Sequence, residues 1–316
     1  MVLIFNPENN FTNYKLFDLF IAHHICFEVI DPTKIYSISI EQNHESPTVL
    51  IINEKRIFLD SISCIFSSSS NLNLCMDFDD SDFKEFSKEE VLLFLNSEWR
   101  KINEFIAFIL QKIPHLSIPY DNENKLKTNE IAKNIGFRIP DSIITTHKRD
   151  IEKYFSERAQ KTFVAKRVND FLSGTTQKGE YFQHESIVLN DKSMDYFQEV
   201  LFPSTSQVLV DYIIEVRSVY IDGGIFSVAR HLKSSDVDMP FVLDTSIQSK
   251  IIVLMRELGL TFGSIDLLID DSNNYYFLEI NPHGQYDIIE VLGDFDVYNK
   301  IFEFIYEREK SALCNS

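Results

Sequence analysis

Short apolar runs alternating with polar positions make up most of this chain, and a few stretches at helical spacing separate them. Val2–Asn6 and Phe27–Ile30 read as strands around a helical Asn13–His24. Thr48–Ile52 and Arg56–Leu59 flank Asn53-Glu54-Lys55 as a hairpin, followed by a strand Ser63–Phe66. Ser67–Ser70 and the acidic patch Asp77–Asp82 read as a flexible surface loop. Ser87 with Glu90 forms a capping box, and Val91, Leu95, Trp99, Ile102, Phe105, Ile109 and Ile113 then recur at three- or four-residue steps. This α/β unit closes near Pro119.

Asn124 can cap a helix over Lys125–Ile135 that Gly136 ends in a left-handed conformation. An extended Arg138–Thr145, a helix near Asp150–Ala159 and a strand Thr162–Val168 follow, then a polar loop from Asn169 to Glu180. Strand patterns dominate afterwards: Gln207–Tyr212, Ile214–Ile221, Ile225–Ala229 and a hairpin near the C-terminus. Helices are expected near Ile247–Leu258 and Tyr298–Glu309. There is no internal repeat.

Composition narrows the picture. The chain has 316 residues, enough for two or three domains, with 44% hydrophobic and 25% charged residues, as in ordinary globular proteins. Its net charge of −18 argues against nucleic acid or an anionic membrane as the main partner. Cys26, Cys64, Cys75 and Cys314 lack zinc-like spacing and read as reduced thiols. With no signal peptide and no long apolar span, a cytoplasmic location is expected.

The chemistry concentrates in the last hairpin. Gly263–Ile269 reads as an apolar strand, separated by the turn-forming residues 270–274 from a second strand that carries Phe277-Leu278-Glu279-Ile280-Asn281. If 270 faces 275, then Asp266 faces Glu279, with Cβ atoms about 4.5–5.5 Å apart, and Asn281 lies on the diagonal. Three hard oxygen donors on one sheet face suit Mg²⁺. Lys166, mid-strand among apolar residues, is suited to an anionic phosphate or to a half-exposed strand face. The loop Ser173–Gly179 is G-x-x-x-x-G followed by Glu180, so it is not a Walker site. Glu215 and Arg217 share a face, where Arg217 could clamp a phosphoryl group or pair with Glu215. Arg230, His231 and Lys233 could add positive charge there.

In this order Lys125, Lys166, the polar loop, Glu215, Arg217, Asp266, Glu279 and Asn281 resemble the ATP-grasp fold. The closer likeness is to the peptide-modifying ligases of graspetide (microviridin-type) systems, especially GRASP-with-SPASM peptide maturases. Four stretches carry it: Asn124-Lys125-Leu126 with Gly136–Pro140; Phe202-Pro203-Ser204 with Gln207 and Ile214–Tyr220; Gly263–Leu267; and Tyr276–Tyr286. The resemblance implies an α/β (α+β) architecture: an N-terminal α/β domain over 1–118, a central lobe over 119–204, and a C-terminal lobe over 205–316 carrying the Mg²⁺ hairpin. It implies Lys125 and Lys166 on ATP phosphates, Gln207, Val208, Leu209 and Val210 as a hinge against adenine, and Asp211 on the ribose. Arg217 would face the transferred phosphoryl, and Asp266, Glu279 and Asn281 would hold Mg²⁺, with Arg217 and Glu279 as catalytic groups. Tyr212-Ile213, Arg230-His231, Cys64–Ser67 and Ser235–Pro240 depart from the family's pattern.

The function this implies is ATP-dependent activation of a side-chain carboxylate of a ribosomal precursor peptide, closing an internal ester or amide. The expected partners are that peptide, a radical-SAM/SPASM companion enzyme and a second copy of the chain. Two alternatives share the nucleotide residues: a ligase adding a free amino acid to a peptide or small acid, and a non-catalytic peptide-binding module.

Overall fold

A computed structural model describes residues 1–42, 44, 47–75, 87–120, 124–158, 162–166, 173–175, 181–183, 187–189, 191–194, 197–232, 238–284 and 286–315. The expected features at Asp77–Asp82, Val168, Lys233, 176–180 and 235–237 lie outside them.

The first unit contains β1 (Val2–Phe5), α1 (Tyr14–Ala22), β2 (Phe27–Ile30), β3 (Ile38–Glu41), β4 (Val49–Ile52), β5 (Lys55–Phe58), β6 (Cys64–Ser67), α2 (Lys88–Leu110) and β7 (His115–Leu116). A parallel sheet runs β2-β1-β6-β7. Every residue of β1 is buried because both faces are covered: Val2 and Ile4 enter one core, Leu3 and Phe5 another. Asn53 and Glu54 turn β4 into β5 with φ of 48° and 68°, the paired left-handed conformation of a tight hairpin. The serine run begins inside a strand and continues as a partly buried irregular segment. Ser67 is a wholly buried strand end, its Oγ donates to Ser69 O at 2.8 Å, and Ser68 Oγ donates to Asn6 Oδ1 at 2.9 Å. Ser87 caps α2 by accepting from Glu90 N at 3.2 Å.

The middle of the chain supplies α3 (Lys125–Ile135), β8 (Ser142–His147), α4 (Lys148–Ser156), β9 (Phe163–Lys166), β10 (Ser173–Thr175), β11 (Tyr181–Gln183), β12 (Ile187–Leu189), α5 (Asp191–Met194) and β13 (Val200–Val208). Asn124 Oδ1 accepts from Leu126 N and Lys127 N, both at 3.1 Å, and Gly136 ends α3 at φ 95°. A sheet ordered β12-β9-β13-β8 packs Phe163, Leu189 and Val208 onto Ile151. Within the polar loop, β10 pairs with β11, which follows the loop, as a two-stranded ribbon. The expected strand Gln207–Tyr212 instead ends at Val208 and begins at Val200. The apolar run that suggested it spans the end of one sheet and the approach to the next: Leu209 N donates to Thr162 O, Ile213 N to Ile269 O.

The last unit holds β14 (Ile214–Ile221), β15 (Gly224–His231), β16 (Met239–Phe241), α6 (Thr245–Leu258), β17 (Phe262–Ile269), β18 (Tyr275–Asn281), α7 (Asp287–Gly293) and α8 (Val297–Asn315). Its antiparallel sheet runs β16-β15-β14-β17-β18. One face, with Val216, Ile265, Leu267, Phe277 and Ile280, packs on α6 together with Ala132 and Phe137. At one end of the other face, Val219, Ile221 and Phe262 meet Tyr286, Ile289 and the first unit. The opposite end of that face carries Glu215, Arg217, Asp266 and Glu279, all only partly buried. Among the described residues no helix is long and apolar enough to cross a membrane.

Candidate active site

The register of β17 against β18 aligns the hairpin's carboxylates. Ile269 faces Tyr275, so the hairpin does not close with 270 opposite 275 as expected. A bulge at Leu278 adds one residue to β18, and beyond it Asp266 faces Glu279 and Ser264 faces Asn281. The bulge also shifts the alternation. Tyr275, Phe277 and Ile280 point into the core, which leaves Glu279 and Asn281 on the opposite face with Asp266.

The same rung continues across the sheet, where Arg217 faces Asp266 on one side and Val228 on the other. Arg217 Nε donates to Asp266 Oδ1 at 2.9 Å and an Nη to Oδ2 at 3.3 Å, a two-pronged ion pair. This partner is Asp266, not Glu215. Burial lifts the Asp266 carboxyl above its ordinary range. The bonds and charge of Arg217 oppose this, and Glu279 adds to it. The bond to Asp266 in turn holds Arg217 above its ordinary value.

Lys125, in the first turn of α3, donates from Nζ to Glu279 Oε2 at 3.1 Å. The Asn124 cap fixes where that side chain starts. Lys166 comes from β9, opposite Thr205 of β13. Burial pushes its ammonium below the ordinary lysine value; Glu279 pulls it up, Lys125 pushes it down and Asp266 pulls it up. Those couplings bring Lys166 of one sheet into the field of the hairpin of another. The structure thus gathers Lys125, Lys166, Arg217, Asp266, Glu279 and Asn281.

The expected hinge residues lie further along. Gln207 and Val208 belong to β13, which runs through the division expected at residues 204 and 205. Val208 is buried in the core beneath β9, and its N donates to Asp141 O at 2.8 Å. Leu209 and Asp211 are exposed, with Val210 half-buried between them. Arg230 donates to Asp238 from Nε and Nη, both at 3.0 Å, so this carboxylate already offsets its charge. A cavity of about 140 Å³ adjoins Arg217, Glu215, Arg230 and Asp238. A larger one, about 490 Å³, is lined by Phe108, Lys127, Leu260 and Pro282 together with Ser117 and His283.

Among the described residues no three His, Cys, Asp or Glu side chains form a metal cage. The trio here is two carboxylates and an amide, a set that Mg²⁺ completes with water and phosphate oxygens. Two lysines and an arginine lie beside these carboxylates, a local concentration of positive charge in a chain of net charge −18. The donor chemistry fits Mg²⁺ bound with a nucleotide. Two features near the site were not assigned from sequence. Ser117 lies 2.8 Å from the His283 ring, and Gly284 lies tight against Ser264. The glycine was a visible signal; the serine, far away in the chain, was not.

Neither protein-family models nor curated protein sequences match this chain. Solved structures do. The macrocyclase MdnC from Microcystis aeruginosa MRC, bound with its precursor peptide MdnA, superposes with a TM-score of 0.76 at 16% identity, covering 97% of this chain and 99% of MdnC. A Chryseobacterium gregarium RiPP-associated ATP-grasp ligase, in complex with ADP and leader and core peptides, gives 0.75 at 17% identity over 97% and 96%. The ATP-grasp ligase PsnB, complexed with a precursor variant, Mg and ADP, gives 0.73 at 13% identity over 97% and 98%. The chain therefore has the ATP-grasp fold, in the nearly full-length arrangement of these macrocyclases and RiPP-associated ligases.

Proposed function

We propose that this protein is a cytoplasmic ATP-grasp ligase that activates a side-chain carboxylate of a ribosomal precursor peptide and closes an internal ester or amide. The observation that carries the reading is the single rung Arg217–Asp266–Glu279, with Lys125 on Glu279 and Lys166 in the same field. Precursor peptides and ADP accompany the ligases of like fold, and that kinship supports the choice of substrate.

Lys125 and Lys166 hold the phosphates, and the linker Leu209–Asp211 borders the nucleoside. Asp266, Glu279 and Asn281 would hold Mg²⁺, which neutralises charge on the phosphates during transfer. A peptide carboxylate oxygen attacks the γ-phosphorus as the bond to ADP breaks. Arg217 would face the transferred phosphoryl group and stabilise the charge on its equatorial oxygens. A peptide hydroxyl or amine then adds to the acyl carbon, phosphate leaves, and the nucleophile's proton is lost to solvent or phosphate. The work of this chain is positioning and electrostatics, with no protein nucleophile.

The test incubates the protein with ATP, Mg²⁺ and candidate Ser/Thr- and Asp/Glu-rich peptides. The expected result is peptide-dependent ADP release, with one water lost from the peptide per bond closed. A gain in mass equal to one amino-acid residue, the free amino acid less one water, would replace the cyclisation reading with intermolecular ligation. Absence of ADP formation with every peptide carried beside its gene would leave a binding module.

A further inference from the structure

We infer that His283 is a positioning residue for the metal ligand Asn281, held by Ser117 of the first unit. The inference rests on the reading above, in which Asn281 is one of three oxygen donors to a divalent ion.

Asn281 is the exposed end of β18, so packing does not fix its amide. Asparagine χ2 is a broad, roughly two-fold torsion, and a metal accepts the oxygen but not the nitrogen. One contact settles the orientation: Asn281 Oδ1 accepts from His283 N at 2.9 Å. That bond occupies one lone pair and leaves the second for a cation. Gly284 N closes the turn on Asn281 O at 3.2 Å.

The aim of the His283 N–H depends in turn on where its side chain is held. His283 Nδ1 lies 2.8 Å from Ser117 Oγ, 166 residues earlier in the chain, and 3.5 Å from Ser67 O at the end of β6. Ser117 is 8% exposed and takes a left-handed φ of 66°, a cost for a non-glycine residue that the surroundings must enforce. Two residues before Ser117, His115 O accepts from Thr261 Oγ1 at 2.7 Å, which ties the first residue of β7 to the residue that precedes β17. A rigid strand end therefore presents the hydroxyl that grips the ring, and the ring holds the turn whose amide orients the metal ligand. Partners of metal ligands typically contribute 10–100-fold in metal affinity.

The test measures Mn²⁺ binding to the full-length protein with saturating ADP, by the electron paramagnetic resonance signal of unbound Mn²⁺, and metal-free ADP binding separately. His283→Ala and Ser117→Ala are each expected to weaken Mn²⁺ binding by roughly 10-fold or more with metal-free ADP affinity unchanged. His283→Asn, which returns a polar atom near Nδ1, is expected to recover most of the loss. Wild-type Mn²⁺ affinity in both alanine variants, or equal loss in His283→Asn, overturns the inference. Wild-type protein that binds ADP but no Mn²⁺ overturns the assignment of Asn281 and this inference with it. Failure of the wild type to bind ADP at all overturns the ligase reading itself.

Discussion

Arg217 and Asp266 face each other on neighbouring strands and share two hydrogen bonds, so the cation expected at a phosphoryl group is held by a carboxylate expected at a metal. The arginine side chain is 38% exposed and the aspartate 20%. The pair thus lies between an exposed bridge, worth up to about 1 kcal/mol, and a buried one, where removing one partner costs roughly 3–5 kcal/mol. Arg217→Lys keeps the charge but loses the fork. It is expected to cost about 1 kcal/mol by chemical denaturation and at least roughly 100-fold in ADP release, the scale of one lost transition-state donor. Activity within a few-fold of wild type would remove Arg217 from the proposed role.

Glu279 sits among Lys125, Lys166 and Asp266. Glu279→Gln keeps the shape and removes the charge. Nucleotide-dependent Mn²⁺ binding is expected to disappear, with the melting temperature little changed because the side chain is half-exposed. Peptide-dependent ADP release that survives in Glu279→Ala would sink the proposed mechanism.

Gly284 leaves no room for a side chain. A Cβ there would lie 1.8 Å from Ser264 Oγ and 2.5 Å from Ser264 Cβ. Gly284→Ala is expected to destabilise by about 1–3 kcal/mol through overpacking. Ser264→Gly in the same chain is expected to restore much of that stability, a coupling that a double-mutant cycle measures. Additive effects would place the strain elsewhere.

Lys166 gives a pH dependence with a definite sign. Burial, the largest influence, holds its folded value below the ordinary 10.5, so the unfolded chain binds this proton more tightly. Its charge therefore opposes folding fully below the folded value, and the penalty fades as pH rises toward 10.5. Lys166→Met is expected to be the more stable protein without nucleotide at neutral pH. That advantage should shrink as pH rises, as denaturation midpoints across the range would show. An advantage that grows with pH would reverse the argument.

Asn124 caps α3 through two backbone amides, one residue before Lys125. Asn124→Ala is expected to cost about 1 kcal/mol. It should also weaken ADP binding, because the helix start that carries Lys125 frays. Isothermal titration of ADP beside thermal melts separates the two effects.

Local features were legible in the residues alone. A capping box and helical spacing marked α2, and the Asn124 and Gly136 signals sit at the ends of α3 that they named, because capping is a short-range hydrogen-bond choice. The i, i+2 relation of Glu279 and Asn281 followed from strand geometry alone. The pairing of Asp266 with Glu279 was legible too, though the assumed hairpin closure was off by one residue, and the bulge at Leu278 makes up the difference. The remainder depends on strand register and on how distant segments pack. Arg217 pairs with Asp266 and not Glu215 because cross-strand register outranks nearness in sequence. The strand Val200–Val208 ends where it leaves one core, which an apolar pattern cannot mark. The contact of Ser117 with His283 joins residues whose separation in the chain carries no signal, since long-range contacts are set by how packed units meet.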